Sequence, residues 1–103
     1  MIIPPSVVPR AAYVENAAEI KKVVDIPVIA VGRINDVEIA ESVLQADKAD
    51  LVTVARASLA DLDMPKKVLE GREDEVIRCI GCLQGCSGEN GKGNCVRCLV
   101  NPL

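Results

Sequence analysis

All five cysteines of this 103-residue chain lie in its last quarter, and they most constrain what that part of the chain can fold into. Cys79, Cys82 and Cys86 form a Cys-x2-Cys-x3-Cys pattern, and Cys95 and Cys98 follow. The chain contains no histidine, so a metal site within it must use sulfur or carboxylate ligands. Most of the glycines also lie among these cysteines. The segment is therefore predicted to be a loop organised by its cysteines.

The cysteine spacing is compatible with two kinds of metal centre. A close trio with a more distant fourth cysteine is a typical way to hold a 4Fe-4S cluster, because each iron takes one thiolate. Structural zinc uses two Cys-x2-Cys pairs, and the first two and the last two cysteines supply that pattern. Disulfides fit poorly, because five is an odd number and nothing marks the chain as secreted. Spacing alone leaves both the cluster and zinc open.

Two short runs of aliphatic, mostly β-branched residues precede the cysteines, at residues 26–31 and 51–55. Their continuous apolar character is typical of strands buried on both faces of a parallel sheet. Helical patterns lie before, between and after them, so the order α-β-α-β-α predicts an α/β fold with parallel strands. Two strands are too few for a complete Rossmann-like sheet or (β/α) barrel, so a piece of one is expected.

Three helices are predicted around these strands. The first covers residues 11–24, where apolar side chains recur at roughly helical spacing. The second begins at an N-cap at Asn35, with Glu38 completing a capping box. The third begins near Leu59 or Met64. Short links are expected to join each helix to its neighbouring strand.

The charge and hydropathy patterns exclude several kinds of partner. The net charge is −3 and the basic residues form no run, whereas binding to a phosphate backbone needs clustered Lys and Arg. The longest apolar stretches are far too short to span a bilayer, and the N-terminus does not have the pattern of a signal peptide. We expect one small cytoplasmic unit with no nucleic acid and no membrane as partners.

Four separate motifs occur in an order that resembles a known family. They are IPVIAVGRIND, ADLVTVARASLAD, CIGCLQGC and CLVNP, and together they extend over nearly the whole chain. This set resembles the C-terminal end of the flavin barrel in old yellow enzyme-like NADH:flavin oxidoreductases. The resemblance is to the iron-sulfur branch of that family, which is typified by 2,4-dienoyl-CoA reductase and trimethylamine dehydrogenase.

The resemblance implies a particular set of cysteine ligands. In the iron-sulfur branch the pattern is Cys-x2-Cys-x3-Cys-x11-Cys followed by Leu-Val-Asn-Pro, and eleven residues likewise separate Cys86 from Cys98 here. By similarity, Cys79, Cys82, Cys86 and Cys98 would ligate a 4Fe-4S cluster. Cys95 would then be an additional thiol that the pattern does not require.

The resemblance also implies a position within a larger fold. The two strands would be the last two of a TIM barrel, whose final loops commonly form a phosphate site. Residues 1–72 would be a partial β/α barrel, and residues 73–103 a cluster-binding segment. The loops after the two strands would hold the phosphate of FMN through Gly32, Arg33, Ala55 and Arg56. Glycine would allow close backbone approach, and arginine would supply charge-assisted hydrogen bonds.

The function implied by the resemblance belongs to a larger enzyme. A complete barrel needs about eight β-α units, on the order of 250 residues, so we expect this chain to be part of an FMN- and 4Fe-4S-dependent oxidoreductase. The electron donor would be NADH or NADPH, and the acceptor an enoate or a 2,4-dienoyl-CoA. We expect that the chain does not catalyse the reaction alone. Its expected partners are the remainder of the flavin barrel or copies of itself in a homo-oligomer. The alternative is a stand-alone iron-sulfur or zinc-binding module without catalytic activity.

Overall fold

Two parallel strands and two helices form the N-terminal part of the computed structural model, which describes residues 3–101. In chain order these elements are α1 (Val14–Lys21), β1 (Ile29–Ala30), α2 (Val37–Gln45) and β2 (Leu51–Val52). They belong to the first of two compact units, Met1–Val54. A second unit, Ala55–Leu103, contains α3 (Ala55–Ala60), α4 (Met64–Leu69), a 3-10 helix (Glu73–Glu75) and a π-helical turn (Gln84–Gly88). Within residues 3–101, every helix is too short or too polar to serve as a membrane span. The predicted functional division at residues 1–72 and 73–103 stays a prediction.

The two strands are parallel neighbours, in a register that pairs Ile29 with Leu51. Helix α2 connects them, so the predicted β-α-β order with parallel strands is confirmed. Each strand has only two residues and is much shorter than the predicted run. The ladder stops early on one side because the Val28 N–H donates to the Asp50 carboxylate at 2.8 Å rather than to a strand backbone.

The apolar core of the first unit lies on one face of the strand pair. Its buried members are Val14, Ala17, Val28, Ala30, Ile34, Val43 and Ala49. On the opposite face Ile29, Val31 and Leu51 are each 53–55% exposed. The prediction of burial on both faces is therefore wrong within this chain. Side chains alternate along a strand, and the helices of this unit cover only one of the two faces.

Helix α2 begins one residue later than predicted. Its N-cap is Asp36, whose carboxylate accepts a hydrogen bond from the Glu38 N–H at 2.9 Å, so the predicted cap at Asn35 is wrong. Glu38 is consequently the second helical residue rather than the third, where a capping box would need it. Asn35 is buried instead. Both residues have side chains suited to a cap, and the extended backbone of Asp36 (φ −143°, ψ 137°) gives it this role.

The other helices also differ from the predictions at their ends. Helix α1 has eight residues and is shorter than the predicted 11–24. Ala11 has a positive φ of 57°, through which a right-handed helix cannot continue. One predicted start of the third helix, Met64, is confirmed as the first residue of α4. The other, Leu59, lies inside α3, which already begins at Ala55.

The turn after β1 depends on a close contact between Gly32 and Tyr13. Gly32 has a φ of +116°, a conformation that L side chains rarely adopt. A Cβ atom at this position would lie 2.6 Å from Cδ2 of the Tyr13 ring. The Ala12 N–H also donates to the Gly32 carbonyl at 3.2 Å. The chain before α1 is thus packed directly against the backbone after β1, with no room for a side chain.

Replacing Gly32 with alanine should destabilise the first unit by more than the ~1–2 kcal/mol expected from a left-handed backbone alone. The excess would come from the overlap between the new methyl group and the Tyr13 ring. Gly71→Ala is a matched control, because Gly71 has a φ of +71° and no described atom lies within 4 Å of its Cβ position. Denaturant unfolding of both variants measures the difference. If Gly32→Ala and Gly71→Ala lowered the free energy of unfolding equally, the Tyr13 ring would have to move away from the new methyl group at no cost.

Candidate functional site

Four of the five cysteines line one cavity in the second unit. They are Cys79, Cys82, Cys86 and Cys98. Cys95 is exposed and is not among the described residues that line the cavity. All five are free thiols. The structure therefore brings together the four cysteines that the family resemblance selects as ligands.

The rest of the cavity wall is apolar and carries two positive charges. Its apolar side chains are Leu59, Ile80, Leu83, Leu99 and Val100. Arg56 and Arg97 add two guanidinium groups. The enclosed space together with its open mouth measures about 350 Å³. An apolar wall of this kind limits the access of water, and guanidinium groups in it can compensate the charge of an anionic group bound there.

A backbone contact between Gly85 and Arg97 brings Cys98 to the other three cysteines. The Arg97 N–H donates to the Gly85 carbonyl at 2.7 Å. A Cβ atom at Gly85 would lie 2.5 Å from the Arg97 carbonyl oxygen, so only glycine permits this approach. Cys86 directly follows Gly85, and Cys98 directly follows Arg97. The contact therefore holds two predicted ligands close to each other.

Local turns direct the first three cysteines toward the cavity. Gly81 has a φ of +70° and Leu83 a φ of +62°, so the chain turns sharply on both sides of the second cysteine. The Gly88 N–H donates to the Leu83 carbonyl at 2.8 Å and closes the π-helical turn that carries Cys86. The Gly81 N–H donates to the Cys79 sulfur at 3.4 Å.

Both ends of the cysteine segment are hydrogen-bonded to the end of α3. Asp61 is buried, with 5% of its side chain exposed, and accepts from the Ile77 N–H at 3.0 Å and from Lys67 Nζ at 2.6 Å. At the other end, the Asn101 side chain donates to the Ala60 carbonyl at 2.9 Å. Two adjacent residues, Ala60 and Asp61, thus hold the chain just before the first cysteine and just after the last.

The Asp61 carboxylate is stabilised in its charged form. Its pKa is held below the usual value by the Lys67 ammonium and by the Ile77 N–H, with a smaller contribution from the Asp63 N–H at 3.0 Å. These interactions outweigh the opposing effect of burial. Lys67 also donates to the Glu75 carbonyl at 3.1 Å. The network therefore joins α4 and the 3-10 helix to the start of the cysteine segment.

The four residues predicted to hold the FMN phosphate are divided between the two units. Gly32 and Arg33 follow β1, and Ala55 and Arg56 begin α3. The Arg33 guanidinium donates from Nη1 to the Val8 carbonyl, and its buried Nε has no hydrogen-bond partner among the described residues. Arg56 lines the cysteine cavity, and its buried Nη1 likewise finds no partner within residues 3–101. Phosphate binding by these residues stays a prediction.

A cluster and a single metal ion need different arrangements of thiolates. Within residues 3–101, no three His, Cys, Asp or Glu side chains converge in a way that could hold one metal ion. A cubane cluster does not need that convergence, because each of its irons takes one thiolate and the ligands surround the whole group. Four thiols around one cavity, with an apolar wall and two arginines, fit a group of this kind.

Three features of the site were missed by reasoning from the sequence. Arg97 was not singled out, although its place between the last two cysteines could have suggested that it faces the same cavity. Arg56 was assigned to phosphate because it follows a strand, and its position beside the cysteines was not foreseen. Gly85 was counted only as one of several glycines, although it lies directly before a cysteine.

Comparisons with known proteins give the chain a family context. Residues 5–75 match the family described as NADH:flavin oxidoreductase / NADH oxidase. NADH oxidase of Thermoanaerobacter brockii is 45% identical over 103 residues, which cover 99% of this chain and 16% of that protein. Metal reductase of Desulforamulus reducens is 45% identical over 94 residues, which cover 91% of this chain and 14% of that protein.

A solved structure shares the fold of the chain. It is a complex of 2-naphthoyl-CoA reductase with 2-naphthoyl-CoA, which is 27% identical and superposes with a TM-score of 0.91. The superposition covers 99% of this chain and 16% of that chain. The chain thus spans 14–16% of the length of these three proteins. The family match ends at residue 75, before the first cysteine, whereas the similarity to the T. brockii protein includes the cysteine segment.

The second unit should lose stability in acid as Asp61 becomes protonated. Because its pKa is lowered on folding from the ordinary value of 3.8, the unfolded chain binds more protons between the two values. The stabilising contribution is therefore complete above the ordinary value and is lost as the pH falls through the folded value. Asp61→Asn should lower stability near neutral pH and flatten the decline in acid.

Denaturant unfolding at about pH 6 and about pH 3 measures this effect. Asp74→Asn is a suitable control, because Asp74 is an exposed acid of the 3-10 helix in the same unit. The control should keep both the wild-type stability and its decline in acid. An Asp61→Asn variant with the wild-type decline would contradict the assignment.

Proposed function

The chain belongs to the NADH:flavin oxidoreductase / NADH oxidase family, and we propose that it is the part of such an enzyme that carries an iron-sulfur cluster. In this proposal Cys79, Cys82, Cys86 and Cys98 ligate a 4Fe-4S cluster. The two parallel strands are the last two of a TIM barrel. The remaining strands of that barrel would pack against the strand face that is exposed here.

The observation that carries the proposal is the cavity that the four cysteines share. A cluster held by four thiolates is an anionic group, because the thiolates outweigh the charge of its iron-sulfur core. The cavity offers what such a group needs, namely an apolar wall, two guanidinium groups and a backbone N–H donated to the Cys79 sulfur. Cys95 is exposed, which agrees with its proposed role as a thiol that binds no iron.

The chain would also supply half of an FMN phosphate site. The residues proposed for this are Gly32, Arg33, Ala55 and Arg56. Arg33 has a buried guanidinium nitrogen, Nε, without a partner in the described part of the chain. An unpaired buried donor on a charged group is unfavourable, and a phosphate oxygen is an acceptor of the kind that would satisfy it.

When bound, FMN and the cluster supply hydride transfer and single-electron transfer respectively. The residues of this chain hold, orient and electrostatically compensate those groups. The whole enzyme would use NADH or NADPH to reduce an electron-poor acceptor, with an enoate or a 2,4-dienoyl-CoA as the proposed class. The similarity to 2-naphthoyl-CoA reductase, in whose complex the bound molecule is an aromatic acyl-CoA, supports a conjugated acyl-CoA as the acceptor.

Serine variants of Cys98 and Cys95 form a matched test of the ligand set. The 103-residue chain would be reconstituted anaerobically with ferrous iron and sulfide, and then analysed for iron, sulfide and zinc. Wild type and Cys95→Ser should each hold about four irons per chain and absorb at about 400 nm until dithionite is added. Cys98→Ser should lose the intact cluster, because one of its irons then has no thiolate.

The same pair of variants separates the cluster from structural zinc. Zinc bound by two Cys-x2-Cys pairs would need Cys95 as well as Cys98, so both variants would lose the metal. Stoichiometric zinc in the wild type, without iron and lost in both variants, would overturn the proposal. The stand-alone zinc-binding module would then be the better description.

Gly85→Ala should prevent cluster assembly without removing any ligand. The added methyl group would meet the Arg97 carbonyl oxygen at 2.5 Å, so Cys98 would be displaced from the other three cysteines. Gly93→Ala is the control in the same loop, because no described atom lies within 4 Å of its Cβ position, although its φ is +76°.

Iron content after reconstitution measures the effect of both glycine variants. Gly93→Ala should retain about four irons per chain, and Gly85→Ala should retain roughly a tenth of that or less. Circular dichroism shows whether each variant keeps its helices. A Gly85→Ala variant that is folded and holds the wild-type amount of iron would contradict the proposed role of the backbone contact.

A further inference from the structure

Arg56 is the less exposed of the two arginines that line the cysteine cavity. It is the second residue of α3, and its side chain forms part of the wall that the four cysteines share. Its Nη1 is buried and has no hydrogen-bond partner in the part of the chain that the structure describes. The other arginine of the wall, Arg97, is exposed. Because an unpaired buried donor on a charged group is costly, Arg56 requires an acceptor that a bound group would supply.

We propose that Arg56 is a positioning residue for the cluster, whose guanidinium donates to a cluster sulfur and stabilises the reduced state. The inference rests on the proposed function, because it needs a cluster in the cavity. A bound cluster would be an anion beside an apolar wall, where charge is poorly screened. A fixed positive charge next to it favours the addition of an electron. Arg56 should therefore raise the midpoint potential of the cluster.

A role toward the cluster is compatible with the proposed contact between Arg56 and the FMN phosphate. A guanidinium presents several N–H donors in a planar fork, so different edges can serve different acceptors. A lysine at this position would keep the charge but could not form both contacts with the same geometry. The two roles can therefore be separated by measuring the cluster in the absence of flavin.

The test uses the 103-residue chain without flavin, reconstituted anaerobically with ferrous iron and sulfide. Reductive titration with dithionite, followed by electron paramagnetic resonance, gives the midpoint potential. Arg56→Gln should lower the equilibrium constant for one-electron reduction by about tenfold, which corresponds to a decrease of about 59 mV. Arg56→Lys should show a smaller decrease. Arg97→Gln is the matched control and should shift the potential less than Arg56→Gln, because solvent screens an exposed charge.

The possible results distinguish this inference from the proposed function. A wild-type chain without iron would overturn both of them. A wild-type chain with about four irons, together with an Arg56→Gln variant of unchanged potential, would overturn only the role of Arg56. Loss of iron in Arg56→Gln but not in Arg56→Lys would support the inference, because it would show that the cluster depends on the positive charge.

Discussion

The end of α3 holds both ends of the cysteine segment, and the site depends on this attachment. The Asp61 carboxylate accepts a hydrogen bond from the Ile77 N–H, and the adjacent Ala60 carbonyl accepts one from the Asn101 side chain. Ordering a residue costs roughly 1–2 kcal/mol of backbone entropy, whereas a single hydrogen bond contributes about 1 kcal/mol. Two anchors cannot therefore order the whole segment. Internal hydrogen bonds and, in the proposed holoprotein, the cofactor must contribute the rest.

Hydrogen bonding rather than apolar burial organises the segment between these anchors. Among residues 79–101, Gly81 is the single buried residue. The loop that separates the third and fourth proposed ligands folds on itself, because the Asn94 N–H donates to the Glu89 carbonyl at 3.0 Å and the Asn94 side chain donates to the Glu89 carboxylate at 2.8 Å. Because this loop is closed by its own hydrogen bonds, the entropy cost of forming the Gly85–Arg97 contact is smaller. The four thiols are thus brought together mainly by the backbone.

The features that could be predicted are those marked in the sequence by a periodic pattern of apolar residues or by a regular spacing of cysteines. Parallel strands follow from aliphatic runs that alternate with helices, and the cysteine set follows from spacing together with family resemblance. The cap of α2 was not predictable, because Asn35 and Asp36 have equivalent side chains and only the backbone distinguishes them. The open strand face was not predictable either. A continuous aliphatic run has the same pattern whether its second face is covered by this chain or by another segment.

Arg56 shows why the electrostatics of the site could not be predicted from motifs. Its place after the second strand suggests phosphate binding, but its long side chain also lines a cavity formed by cysteines far along the chain. The spacing of residues in the sequence does not predict that Arg56 lines this cavity, because its position there depends on how the cysteine segment is attached to α3. In the proposed enzyme, one guanidinium would help to hold the flavin phosphate and also set the potential of the cluster. A substitution at this position would therefore alter both cofactor sites together, which couples flavin binding to electron transfer through a single side chain.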